Sequence, residues 1–253
     1  MEFSLPIGDR TIRFDCPNDT VLGRAKWLLQ KEPGTIAWLD RMAPDEVLWD
    51  IGANIGVYAL YAAIIRGCRV LAFEPAAANY FGLNSNIVLN GIDGQVQAYC
   101  LALDRAAKLD AMQMRDHLVG TALHTFGEAR DYKGECFTPA WRQGAIALSI
   151  DMLVDAFGAT FPNHVKIDVD GLETAVVQGG ARTFADPRLR SVLVEVDLND
   201  QREVGQIAQV LEAGGLVRDD DVPGNHVRAV EGTRIFNLVY RRAGSAATGP
   251  RPA

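Results

Sequence analysis

Residues 47–63 constrain the fold of this chain more than any other segment. A short apolar run that contains Asp50 leads into a turn with Gly52, Asn54 and Gly56, and an apolar helical pattern follows. A strand that passes through a tight glycine turn into a helix is the first half of a βαβ unit. Such units bind a nucleotide-like cofactor at the carboxyl end of their strand. The segment therefore predicts a parallel α/β sheet with a cofactor site beside the turn.

A second acid and an unusual turn residue narrow the choice of cofactor. Glu74 closes the next apolar run, at the distance from Asp50 at which a Rossmann-type unit carries its ribose-binding acid. The turn has Asn54 where a dinucleotide fingerprint has its middle glycine, and that side chain would crowd a pyrophosphate. These residues favour S-adenosylmethionine over NAD. A tight strand–helix turn without any ligand is the simpler alternative.

Strand and helix patterns alternate from Glu46 onward, which predicts a parallel sheet covered by helices on both faces. Two closing strands, 215–219 and 234–241, flank a turn-rich stretch, and we expect them to pair antiparallel. The other predicted strands are 47–51, 69–73, 95–99, 146–150, 163–168 and 190–196, and the predicted helices are 55–66, 77–89, 151–157, 172–180 and 201–213.

The chain divides into a main domain over residues 46–241 and a small N-terminal extension over 1–45. Residues 105–145 show little periodicity and are predicted to form a loop-rich insert near the carboxyl ends of the strands. Residues 242–253 have the composition of a disordered tail. The elements predicted in the extension are a hairpin over 1–16 that turns at Gly8-Asp9, a helix over 21–29 ended by Pro33-Gly34, and a helix over 35–42.

Three acids follow the predicted strand 163–168 within a few residues. Asp168, Asp170 and Glu173 are costly to bury unless they meet cations, hydrogen-bond donors or a substrate. Asp168 is the best candidate for a carboxylate that faces a site. The alternative is that its side chain only caps the turn. Glu173 is suited to its own helix N-terminus. The acids have no clear metal-ligand spacing, so we predict no metal, although a divalent cation remains an alternative.

The remaining patterns exclude other classes of function. No histidine spacing supports a zinc site, and no Gly-x-Ser-x-Gly elbow indicates a hydrolase. A net charge of −7 gives the chain no overall electrostatic attraction for nucleic acid. No apolar run approaches the ~20 residues of a membrane span, and the N-terminus lacks a signal-peptide pattern. With four widely spaced cysteines, these observations predict a cytoplasmic protein without membrane or nucleic-acid partners.

Taken together, these segments resemble the FkbM-type family of S-adenosylmethionine-dependent methyltransferases. The resemblance covers about residues 46–200, and Asp170 departs from it, since the family usually has glutamate there. The segments that carry the resemblance are Trp49–Gly56, Phe73–Pro75, Leu83–Asn90, Ala102–Asp104, Leu148–Asp151, Lys166–Glu173 and Val194–Val196.

The resemblance implies a Rossmann-like class I methyltransferase sheet of seven strands, the last antiparallel. It also implies methyl transfer, usually onto a hydroxyl of a sugar, a polyketide or another natural product. The implied cofactor contacts are Asp50, Gly52, Asn54 and Gly56 around the methionine end, Glu74 on the ribose, and Ala102, Leu103 and Asp104 near the adenine.

We therefore predict an S-adenosylmethionine-dependent O-methyltransferase with a small-molecule acceptor. A hydroxyl loses its proton during attack, so a positioned base is needed. Asp168, which the resemblance places near the transferred methyl, is the first choice, and His117 or His124 of the insert are alternatives. N-methylation of an amine, a carboxylate acceptor, an NAD-dependent oxidoreductase and a catalytically silent cofactor-binding protein stay open. Assembly into a homo-oligomer also stays open.

Overall fold

The computed structural model describes residues 1–130, 134–222 and 234–244, and every structural statement below refers to these residues. Nearly all of the predicted tail over 242–253 and most of the stretch between the two closing strands lie outside the described residues. Among the helices that are described, none is long and apolar enough to cross a bilayer.

The strands and helices follow the predicted alternation closely in the main domain. The strands are β1 (Glu2–Ile7), β2 (Arg10–Asp15), β3 (Val47–Ile51), β4 (Arg69–Phe73), β5 (Val96–Tyr99), β6 (Ala102–Leu103), β7 (Lys108–Met114), β8 (Thr125–Phe126), β9 (Trp141–Leu148), β10 (His164–Ile167), β11 (Ser191–Asp197), β12 (Leu216–Arg218) and β13 (Ile235–Arg242). The helices are α1 (Asp19–Lys26), α2 (Leu28–Lys31), α3 (Pro33–Leu39), α4 (Val57–Ile64), α5 (Ala77–Asn90), α6 (Ile150–Asp155), α7 (Glu173–Gln178), α8 (Ala181–Ala185) and α9 (Gln201–Ala213).

The main sheet has seven strands in the order β12-β13-β11-β10-β3-β4-β5. The pairs from β11 to β5 are parallel, whereas β13 runs antiparallel to both β11 and β12. This arrangement confirms the predicted Rossmann-like sheet with an antiparallel last strand. The chain moves outward from β3 through β4 to β5 and then returns to place β10 on the other side of β3. The carboxyl ends of β3 and β10 therefore form the topological switch point, where α/β sheets bind ligands.

Two apolar clusters cover the two faces of this sheet, because side chains alternate along each strand. In β3, Leu48 belongs to a cluster with α4 and the N-terminal residues, while Val47 and Trp49 belong to a cluster with α6 to α9. Asp50 follows this alternation and points to the face of Leu48. The register pairs Asp50 with Lys166 of β10, so both side chains are buried on that face.

The N-terminal residues form the predicted hairpin, in which β1 pairs antiparallel with β2. The helices that follow differ from the prediction: α1 and α2 divide the first predicted helix, and α3 begins at Pro33. Proline is well suited to the first turn of a helix, where its missing N–H has no intrahelical partner. The preceding helix does end before Pro33-Gly34, but this pair begins α3 rather than separating it from a helix that starts at residue 35.

The segment over 105–145 contains more regular structure than the loop-rich insert predicted for it. β7 and β9 pair antiparallel in a second sheet of order β6-β9-β7-β8. The prediction of 146–150 as a strand of the parallel sheet was wrong, since β9 pairs with β6 and β7 in the second sheet and ends at Leu148. Only the last residues of β7 and β9 are buried, so neither strand carries a long apolar run in its sequence.

Candidate active site

The turn after β3 brings the ends of β3 and β10 into contact. The backbone N–H groups of Gly52 and Ala53 both donate to the Phe73 carbonyl at 3.0 Å, which ties the turn to β4. Gly52 has a φ of +81°, and a Cβ atom there would lie 1.8 Å from the backbone oxygen of Asp168. Only glycine permits this approach. The turn is thus shaped by the close approach of the neighbouring strand end.

The four turn residues predicted to hold the methionine end do not all reach the same space. A cavity of about 1780 Å³ opens at the carboxyl ends of the strands, and Gly52 and Asn54 line it. Asp50 and Gly56 are not among its lining residues in the described part of the chain. Asp50 is fully buried beneath the turn, and Gly56 caps the N-terminus of α4.

Asp50 lies beneath the turn, and its charge acts on the site through the buried Lys166. Lys166 Nζ lies 3.9 Å from Asp50 Oδ1 and donates to Asp168 Oδ2 at 2.8 Å, with 1 % of its side chain exposed. Burial raises the pKa of Asp50 to about 6, although Lys166 opposes the rise. Burial also disfavours the ionised form of Asp168. The positive charge of Lys166, and then that of Lys31, outweighs the effect of burial and lowers the pKa of this carboxyl. Asp168 is therefore ionised at neutral pH.

Glu74 reaches the cavity from the end of β4. Its Oε2 accepts from the Asn54 N–H and its Oε1 from the Ala76 N–H, both at 2.8 Å. Burial raises the pKa of Glu74 to about 7, against the two backbone donors. The carboxylate is thus fixed in direction on the cavity wall, with lone pairs beyond those that the backbone occupies.

The residues predicted to lie near the adenine line the same cavity. Ala102 and Leu103 form the short strand β6, and Asp104 follows it. The Asp104 carboxylate is held by the Lys108 ammonium at 2.8 Å and by the Arg105 N–H at 2.6 Å. These three residues, with Gly52, Asn54 and Glu74, therefore share one continuous space.

Residues 115–124 form a loop, called here the bridging loop, that ties several elements to the turn. Asn54 Nδ2 and Asn79 Nδ2 donate to the Thr121 carbonyl at 2.8 and 3.0 Å. The Leu123 N–H donates to Asp170 Oδ2 at 2.7 Å. The Asn54 side chain therefore holds the loop against the turn.

The two histidines of the bridging loop are poorly placed to act as a base. His117 is exposed and is not among the described residues that line the cavity. His124 lines the cavity, but its Nδ1 accepts the Arg115 N–H at 3.2 Å, so a neutral ring carries its proton on Nε2. That nitrogen lies 3.1 Å from Thr121 Oγ1. Burial also lowers the pKa of His124, and no ring nitrogen is left for a substrate.

Sequence reasoning gave no role to two acids that lie beside Asp168. Oxygen atoms of Glu32, Asp168 and Glu195 all fall within 4.8 Å of one another, a spacing at which carboxylates could hold a cation. Lys166 Nζ already provides a positive charge to this group. Burial, followed by the charges of Asp168 and Glu32, raises the pKa of Glu195 well above its usual range. Glu195 interrupts the apolar run of β11 two residues before its end, and an acid in such a run is a local signal. No local pattern signals Glu32.

The sheet and the cavity together define the class of protein. A seven-stranded sheet with one antiparallel strand carries a glycine turn after its first parallel strand and an acid after the next. The cavity at this end is lined by Gly52, by carboxylates such as Glu74 and Asp168, and by apolar and cationic side chains. The turn itself offers no glycine-rich cradle for a pyrophosphate. This is a Rossmann-like methyltransferase of class I.

Comparison with known proteins gives the family. The model of the Methyltransferase FkbM domain matches residues 50–217, and the chain belongs to this family. S-adenosylmethionine is accordingly its cofactor, and methyl transfer is its reaction. The predicted resemblance is thereby confirmed, and the nicotinamide alternative is removed.

Two known proteins are similar to this chain over most of their length. The chain is 26 % identical over 223 residues to the 31-O-demethyl-FK506 methyltransferase FkbM of Streptomyces tacrolimicus, covering 79 % of this chain and 82 % of that protein. It is 27 % identical over 191 residues to the hexuronic acid methyltransferase AglP of Haloferax volcanii, covering 72 % of this chain and 71 % of that protein. A solved structure, M. jannaschii TYW2 with AdoMet, is 14 % identical with a TM-score of 0.46, covering 95 % of this chain and 86 % of that one.

Proposed function

We propose that the protein transfers the methyl group of S-adenosylmethionine to a hydroxyl oxygen of a small molecule, such as a sugar or a polyketide. The methionine end of the cofactor would lie at Gly52 and Asn54, its ribose at Glu74 and its adenine at Ala102–Asp104. The Glu74 carboxylate fits a ribose diol because it is fixed by backbone donors and faces the cavity. The apolar side chains of Ala102 and Leu103 in β6 can pack against a flat ring.

The observation that carries this proposal is the position of Asp168. Its backbone oxygen lies against Gly52, so the residue borders the space proposed for the reacting end of the cofactor. Its Oδ2 is committed to Lys166, and its Oδ1 has no hydrogen-bond partner in the described part of the chain. The site therefore presents one ionised carboxylate oxygen to an incoming acceptor.

The chain's residues have a simple task in such a reaction. Bound S-adenosylmethionine supplies a methyl group already activated on a sulfonium. Asp168 Oδ1 accepts the hydrogen of the acceptor hydroxyl, directs the oxygen towards the methyl carbon and takes up the proton as the new bond forms. Lys166 keeps this carboxylate ionised and fixed. Positioning and proton acceptance of this kind contribute roughly 10²–10⁴-fold to a rate.

The acceptor would enter between the N-terminal helices and the strand ends. Trp27 lines the cavity with 63 % of its surface exposed, and an aromatic side chain in that position can pack against a ring. The relatives named above, one acting on an O-demethylated FK506 and one on a hexuronic acid, support an oxygen-rich acceptor with rings.

An Asp168→Asn variant tests the assignment. We expect it to bind S-adenosylhomocysteine with unchanged affinity in calorimetry, because the amide is isosteric and the cofactor contacts remain. Its turnover with an acceptor should fall by about 10²-fold or more. His117→Asn is the matched control and should keep its rate, since His117 is exposed outside the cavity. Near-normal turnover of Asp168→Asn would remove Asp168 as the base.

An amine is a second candidate acceptor, favoured by the acids near the end of β11. Asp197, Asp200 and Glu203 all line the cavity, and their charges would attract an ammonium group. Paired acceptors that differ only in carrying an amine or a hydroxyl would separate the two reactions by mass spectrometry of the methylated product. A product from the amine alone would replace O-methylation by N-methylation.

A further inference from the structure

The N-terminal helix α1 forms one wall of the cavity, although it precedes the region that the family model matches. Arg24 of this helix is half-buried and lines the cavity, together with Thr20, Gly23 and Trp27. Its guanidinium group takes no part in the proton transfer proposed for Asp168.

Arg24 is held in one direction by the bridging loop. Its Nε donates to the Gly120 carbonyl at 2.5 Å, and the Gly120 N–H donates to Asn79 Oδ1 at 2.8 Å. Gly120 has a φ of +88°, and a Cβ atom there would lie 2.7 Å from Val21 Cγ2. Glycine thus lets the loop approach α1 closely enough for its carbonyl to receive Arg24.

The same contacts place Arg24 near the turn proposed for the methionine end. Thr121, the residue after Gly120, accepts from Asn54 Nδ2 through its carbonyl. Arg24 is therefore connected to the turn through two adjacent loop residues. Its positive charge also acts to lower the pKa of Glu74, Asp168 and Asp170, the acids at the ends of β4 and β10.

Arg24 differs from the other cations of the cavity in having terminal nitrogens to spare. Lys31, Lys108 and Arg130 are each paired with a carboxylate, at 3.0, 2.8 and 3.0 Å. In the part of the chain that the structure describes, the terminal nitrogens of Arg24 have no hydrogen-bond partner. Arg105 also lacks an ion pair there, but it follows Asp104 at the end proposed for the adenine.

We propose that Arg24 binds the α-carboxylate of the methionine end of the cofactor through its two terminal nitrogens. A guanidinium and a carboxylate match in shape as well as in charge. A cavity rich in carboxylates would otherwise repel this group, and Arg24 is the cation with free donors beside the turn. The inference rests on the proposed placement of the methionine end. A carboxylate on the acceptor has the same chemistry, so the test must separate the two sources.

Arg24→Gln is the sharpest variant for this test. The amide nitrogen of glutamine stands where Nε stands in arginine, so it can still donate to the Gly120 carbonyl, but the terminal nitrogens and the charge are gone. Two probes are titrated calorimetrically without acceptor: S-adenosylhomocysteine, and 5′-methylthioadenosine, which shares the nucleoside thioether but lacks the amino-acid end. Arg105→Ala is the matched control for loss of a cavity cation.

We expect Arg24→Gln to lower the affinity for S-adenosylhomocysteine about tenfold to a hundredfold and to leave the affinity for 5′-methylthioadenosine unchanged. Arg105→Ala should not change the ratio of the two affinities. Equal loss for both probes, or no loss for either, would overturn the proposal and leave Arg24 as a loop anchor or an acceptor ligand. Wild-type protein that binds neither probe would overturn the cofactor placement itself, a separate failure. Thermal unfolding of each variant confirms that the fold is intact.

Discussion

Replacing Gly52 by alanine tests whether the approach of β10 is what requires a glycine in the turn. The new Cβ atom would lie 1.8 Å from the Asp168 backbone oxygen, whereas ordinary contacts of such atoms begin at 3.4 Å. The neighbouring group is backbone in a central strand end, so it cannot rotate away as a flexible side chain would. The turn or the end of β10 must move instead.

The size of the effect has two parts. A positive φ costs alanine roughly 1–2 kcal/mol relative to glycine. Forcing an extra methyl group into a packed position costs roughly a further 1–3 kcal/mol. Gly52→Ala should therefore lower the free energy of unfolding by about 2–5 kcal/mol, as the sum of these estimates.

Gly91→Ala provides the matched control. Gly91 also has a positive φ, +64°, but a Cβ atom there would meet nothing within 4 Å. It should show only the conformational cost of about 1–2 kcal/mol. Urea unfolding of both variants gives the two free energies of unfolding. Calorimetry with S-adenosylhomocysteine shows whether a change in the turn alters the affinity for this ligand. Equal destabilisation of the two variants, with unchanged affinity in Gly52→Ala, would refute the steric reasoning.

Two further predictions concern the buried charges. Because the pKa of Glu74 is raised to about 7, the affinity for S-adenosylhomocysteine should increase as the pH rises through that value and the carboxylate ionises. The Glu74→Gln variant should bind this ligand about tenfold or more weakly and lose the pH dependence. If calorimetry shows the same pH dependence in the variant, another group causes it. Lys166→Met should cost about 3–5 kcal/mol at neutral pH because it leaves Asp50 and Asp168 without their cation. Without Lys166 the folded-state pKa values of both aspartates rise above their unfolded values. The loss of unfolding free energy in the variant should therefore be present at high pH and shrink as the pH falls and the aspartates take up protons. A loss in urea unfolding that is independent of pH would contradict this.

The sequence by itself determined the sheet and the turn that borders the cavity. The runs that became β3 and β4 are apolar because parallel strands are buried on both faces, and such runs are visible without a structure. Gly52 and Glu74 stood out because a turn glycine and an acid at a strand end are poorly explained by packing alone. Both sets of signals are local, which is why they survive in a single sequence.

Tertiary structure decided the parts that depend on distant contacts. β9 was assigned to the wrong sheet because its partners, β7 and β6, lie tens of residues earlier and its exposed face leaves no apolar run. The hydrogen bonds of His124 with residues of its own loop remove it as a base, which no residue pattern indicates.

The arrangement of charges around the cavity depends most strongly on the fold. Arg24 and Glu32 come from helices or turns before the first parallel strand, and they reach the site only because the N-terminal residues pack over one face of the sheet. The sequence alone thus specified the glycine turn beside the cavity, since that motif is contiguous. The charges that surround Asp168 are brought together from several distant segments, and only the packed structure could show them.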